Sequence, residues 1–91
     1  MNIPQITSID NTLKVYYAYP EIGNKEIRYL FGSRSSATIS RLKKIAKQEM
    51  IKTDTPTFCT NKVNTAIAFD VWGIDILDLE KRMNKIKELE L

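Results

Sequence analysis

The chain has 91 residues, 43% apolar and 27% charged, with a formal net charge of +3. That length suits one small domain, residues 1–91, with a thin core that association with a second copy would help to stabilise. No apolar run nears the ~20 residues of a membrane span and no charged start leads into a signal core, so the expectation is a cytoplasmic protein with no membrane partner.

The first twenty residues read as a β-like segment. Leu13, Val15, Tyr17 and Tyr19 alternate with Lys14, Tyr16 and Ala18, and Pro20 closes the run. A period of two rich in β-formers predicts a short strand. Such a strand needs a partner, either Thr57 to Thr60 or its twin in a dimer. Tyr16, Tyr17 and Tyr19 suit stacking on bases, and they equally suit packing a core.

From Ile22 to Met50 the pattern changes to helical. Glu26 places a carboxylate in a first turn, Ile27, Leu30 and Phe31 form one apolar face, and Gly23 or Asn24 is the cap. Gly32 follows the last apolar residue, where a helix commonly ends. Ser33, Ser35 and Ser36 then offer oxygens to the amides of a second helix, whose buried face is Ile39, Leu42, Ile45 and Ala46. Opposite that stripe lie Thr38, Ser40, Arg41, Lys43, Lys44 and Lys47, a basic and hydroxylic surface.

The run LFGSRSSATISRLKK resembles the turn and recognition helix of helix-turn-helix proteins among bacterial regulators and small proteins of phages and other mobile elements. With the helices on either side of the turn, Ile22 to Met50, the resemblance covers roughly a third of the chain. It departs from that pattern in three places. Ser33 stands where an apolar turn residue is usual, Ile39 comes seven positions after Gly32 rather than six, and Arg28 occupies a site normally held by a small residue. These differences imply a turn longer by one residue and a less tight helix crossing. The resemblance implies double-stranded DNA as partner, with Arg34, Ser35, Ser36, Thr38 and Arg41 facing base edges and Lys43, Lys44 and Lys47 facing phosphates. The alternative is an ordinary solvated helix face with serine caps.

Charge partition supports the first reading. Residues 21–52 hold eight basic groups against three acidic ones, a net of +5; residues 53–91 hold five against seven, and residues 1–20 balance. A modest total therefore conceals a concentrated positive segment, the electrostatic footprint of a nucleic-acid binder.

Lys52 to Pro56 reads as an irregular connector. A helix from Asn61 or Asn64 to Trp72 is expected to bury Val63, Ile67, and Val71 or Trp72, with Gly73 ending it and Trp72 a core anchor. The final helix opens at Asp75, carries Asp78 in its first turn and runs to the terminus. Its stripe of Ile76, Leu79, Met83, Ile86 and Leu89 packs on its own domain or pairs with a second copy in a homodimer. The lone Cys59 excludes an internal disulfide framework and reads as a small half-buried apolar residue.

Catalytic chemistry has little to draw on. The chain has no His, no His or Cys cluster for a metal, and three glycines too far apart for a phosphate loop, so no enzyme, cofactor or metal is expected. The expected fold is mainly α, a helix-turn-helix core of three to four helices with a short N-terminal β element. The expected function is sequence-specific DNA binding by a small transcriptional regulator. The alternatives are an excision or packaging accessory protein, and a helical interaction or structural protein that does not bind DNA.

Overall fold

In the computed structural model, which describes residues 3–89, the first helix begins at a serine cap. The Ser8 hydroxyl accepts the Asn11 N–H at 3.2 Å, Asp10 occupies the first turn, and α1 runs over Ile9–Ala18. The strand expected at Leu13 to Tyr19 is thus helical as far as Ala18, which corrects the β-like reading of the segment; residues 1 and 2 lie outside the described residues. The reason is physical. Nearly every side chain in that run is apolar, so alternation there does not discriminate, whereas Ile9, Thr12, Leu13 and Tyr16 also recur at helical spacing. Thr12 and Val15 are buried, and the Thr12 hydroxyl donates back to the Ser8 carbonyl.

The β element lies just beyond. Strand β1, Glu21–Ile22, pairs antiparallel with β2, Val63–Asn64, with Ile22 opposite Val63 and Glu21 opposite Asn64. Its partner is therefore neither Thr57 to Thr60 nor a second copy. Ile22 and Val63 are fully buried, so this two-residue ladder brings the ends of a long excursion into the core.

That excursion contains the two helices of interest. Helix α2, Asn24–Phe31, starts after Gly23, whose N–H donates to the Glu26 carboxylate at 2.8 Å. It ends at Gly32, held at φ 83° and ψ −170°, a conformation that essentially only glycine adopts without strain. Residues 32–35 turn the chain into α3, Ser36–Lys52. Irregular chain over residues 53–62 returns to β2, and α4, Thr65–Val71, follows with Asn64 capping the Ile67 N–H. Gly73, at φ 73°, turns the chain again, and Asp75 caps α5, Ile76–Leu89, through the Asp78 N–H. The expected run of this helix through residues 90 and 91 lies outside the described residues.

The fold is thus mainly helical, with five helices and one small sheet among the described residues. No described helix is long and apolar enough to cross a membrane. In α4 the buried positions are Thr65, Ala68 and Phe69, with Ile67 and Val71 half-buried and Trp72 buried just after the helix. Trp72 binds the core together: its indole N–H donates to the Leu42 carbonyl at 3.0 Å, and its ring meets Phe31 edge-on at 5.5 Å and Phe69 at 6.3 Å. Trp72→Ala should therefore cost about 3–5 kcal/mol in urea unfolding. Trp72→Phe, which keeps a ring but drops the N–H, should cost about 1–2 kcal/mol; wild-type stability in the Phe variant would remove the hydrogen bond from this account.

Candidate nucleic-acid interface

Helix α3 supplies the candidate surface because only one of its faces is used by the core. Ile39, Leu42, Ala46 and Met50 are buried at spacings of three and four, and α3 packs them against α4, β2 and α2. Half a turn away, Ala37, Arg41, Lys44 and Gln48 form an exposed outer row, with Ser40 beside it. Ile45 sits at the boundary, half-buried.

The expected contact residues fall into three groups. Ser36, Arg41 and Lys44 are exposed on the first three turns of α3. Arg34, Ser35 and Thr38 build the turn. Arg34 Nε donates to the Phe31 carbonyl at 3.1 Å, tying the end of α2 to the loop. Ser35 caps α3 by accepting the Thr38 N–H at 3.2 Å, and the two hydroxyls lie 3.0 Å apart. Lys43 and Lys47 form the third group and leave the outer row. Both are half-buried on the flank, Lys43 donating to Asn24 Oδ1 at 3.2 Å and Lys47 to the Thr60 carbonyl. Burial pushes the Lys43 ammonium below its ordinary pKa, and the positive charge of Lys47 acts the same way.

Two residues of the outer row, Ala37 and Gln48, are absent from the expected set. Helical phase identifies them: they stand opposite the Ile39, Leu42, Ala46 stripe, whereas residue type alone favours Ser, Arg and Lys.

The electrostatics of this side are uneven. Residues 21–62 contain nine Lys and Arg side chains and four Asp and Glu. Among the described residues the three ion pairs all lie elsewhere: Lys14 with Asp10 on α1, and Arg82 with Asp78 and Lys85 with Glu88 on α5. Two of the four carboxylates accept from other donors. Glu21 takes the Thr57 hydroxyl and the Phe58 N–H, both at 3.0 Å, and Glu26 takes the Gly23 N–H.

Two concavities flank α2. One, about 450 Å³, is lined by Gly23, Asn24, Lys25, Glu26, Lys43, Asn61 and Lys62. The other, about 590 Å³, lies between α1 and α2 and is walled by Tyr17, Tyr19 and Tyr29 over Val15 and Ala18. Tyr16, in contrast, packs on Phe69 at 5.2 Å. Cys59 is half-buried, and among the described residues no group of three His, Cys, Asp or Glu side chains gathers as metal ligands.

No protein-family model matches the chain, and neither a curated protein nor a solved structure matches it.

Ser35 and Ser36 separate scaffold from surface. Ser35→Ala should lower stability by about 1 kcal/mol through the lost cap, while Ser36→Ala should leave the thermal midpoint unchanged. Equal shifts in the two melting curves would contradict this assignment of the cap.

Proposed function

We propose that this chain is a small cytoplasmic protein that binds duplex DNA in a sequence-specific way through the outer face of α3. In this reading it serves as a transcriptional regulator of the phage or mobile-element type. The observation that carries the reading is the set of cations on and beside α3 that have no carboxylate partner among the described residues, where the ion pairs lie on α1 and α5. Arg41, in the middle of the outer row, has the fork that bridges the two acceptors of guanine. Ser36 and Ser40 suit bases or phosphates, the Ala37 methyl suits a thymine methyl, and Lys44 suits a phosphate. Arg34, Ser35 and Thr38 contribute by setting how the turn presents the start of α3, with their remaining polar groups available to the DNA backbone. An excision or packaging accessory role would use the same contacts.

A homodimer belongs to the same proposal, since paired copies reading neighbouring half-sites gain specificity that one small reader lacks. The support is the division of α5. Leu79 is buried on the chain's own fold, whereas Ile86 and Leu89, on the next turns, are 41% and 73% exposed. The second reading, a protein-interaction module, is favoured by the Tyr-walled groove between α1 and α2 and by Phe58, which is 91% exposed. Salt-sensitive retention on DNA discriminates the two readings.

With four or five Lys and Arg side chains on phosphates, log affinity should fall against log salt with a slope of about −4. A flat response, or no binding at low salt, would remove the proposal. Arg41→Ala should lose about 1–3 kcal/mol on a site recovered from random DNA and relax preference at one base position; uniform loss on specific and random duplexes would place Arg41 on the phosphates instead. For the dimer, sedimentation at micromolar concentration should give a dimer for the intact chain and a monomer for Met83→Glu. A monomeric intact chain ends the dimer idea, and a dimeric variant moves the interface away from α5.

A further inference from the structure

The 450 Å³ cleft beside α2 gathers three lysines from three separate parts of the chain: Lys25 from α2, Lys43 from α3, and Lys62 from the loop before β2. Two of the three are fixed by their surroundings. Lys43 is half-buried and reaches Asn24 Oδ1 at 3.2 Å. The stem of Lys62 lies directly over Gly23, where an added Cβ would stand 3.4 Å from Lys62 Cγ. The one carboxylate in the cleft, Glu26, accepts the Gly23 N–H and lies within ion-pair distance of none of the three lysines among the described residues. Three lysine side chains thus line a concave site that holds one carboxylate, and burial together with Lys47 already disfavours the charge on Lys43. An anion entering the cleft would oppose both by favouring the charged ammonium.

We propose that the Lys25, Lys43 and Lys62 cleft is a seat for a phosphate group. Phosphate fits better than a lone carboxylate because its several oxygens can take ammonium donors from three directions at once, while a carboxylate presents two. The cleft adjoins the α3 surface, since Ser40 beside the outer row is the i, i+3 neighbour of Lys43. A backbone phosphate of a duplex lying along that row is therefore the first source, a step that rests on the DNA-binding reading. A free phosphate, or one on a small molecule, is the second source of the same chemistry.

The test is a titration of the full chain, followed through the backbone amides of Asn24, Lys25 and Lys62 by NMR. One arm uses a short duplex and the other inorganic phosphate, both at constant ionic strength. Lys62→Gln and, because it is exposed and cannot disturb packing, Lys25→Gln are compared with Lys85→Gln on α5. A backbone-phosphate seat requires these amides to shift saturably with duplex and the salt slope to drop by about 1 in Lys62→Gln and in Lys25→Gln but not in Lys85→Gln. Saturation by inorganic phosphate at millimolar concentration, lost in the same two variants, supports the seat with a free phosphate as its ligand. If duplex binds and Arg41→Ala weakens it, but the cleft amides stay still in both arms and neither cleft variant changes the slope, the seat is refuted and the α3 reading survives. If no duplex binds yet inorganic phosphate saturates the cleft, the seat stands and the DNA reading falls.

Discussion

The indole of Trp72 is the contact on which the rest of the structure depends. It lies after α4, yet its N–H closes on the Leu42 carbonyl of α3 and its ring meets Phe31 at the end of α2 and Phe69 of α4. A single side chain thereby sets three helices relative to one another. Its hydrogen bond matters beyond its modest net energy, because a buried indole N–H without an acceptor would cost more than the bond contributes. Once Leu42 is held inward in this way, helical phase leaves no freedom. Ala37, Arg41, Lys44 and Gln48 must face out.

The turn between α2 and α3 shows how the same residues serve structure and surface. Gly32 adopts a conformation unfavourable for other residues, Arg34 bonds the last carbonyl of α2, and Ser35 caps α3 with Thr38. These interactions satisfy backbone groups that helix ends leave open. The polar residues of the turn are thus largely explained by capping, and the outer row of α3 is what capping leaves unexplained. Any function assigned to this side of the molecule is better tested at Arg41 and Lys44 than at the serines.

Much of this was legible from residue type and spacing. The α2 stripe of Ile27, Leu30 and Phe31, the break at Gly32, the serine cap, the Ile39 to Ala46 stripe and the opening of α5 at Asp75 all follow from local rules that act within one or two turns. Among the features that did not follow, two show why. The N-terminal run was ambiguous because Leu13 to Tyr19 is apolar nearly throughout, and the decisive signal, Ser8 followed by Asp10, lies upstream of the alternation. The flank positions of Lys43 and Lys47 were hidden for a different reason. Their acceptors, Asn24 and the Thr60 carbonyl, are distant in sequence, and only the β1 and β2 pairing brings residues 60–62 beside α3.

The lysines also bear on energetics. Lys43 and Lys47 stand four residues apart, a like-charge spacing that disfavours a helix by about 0.2–0.5 kcal/mol, and the lowered pKa of Lys43 expresses the same repulsion on top of its burial. Nearby carboxylates would have offset this, but Glu21 and Glu26 are engaged by backbone N–H groups and the Thr57 hydroxyl. On α1 and α5 the opposite arrangement holds, with Lys14, Arg82 and Lys85 each beside an acid one turn away. Among the described residues the ion pairs are thus confined to α1 and α5, and none forms around α3. Packing gives no reason for that asymmetry, since these side chains contribute little to the core. A polyanion laid against α3 would supply the missing counter-charge, and it would do so on the one helical face that the Trp72 contact keeps turned to solvent.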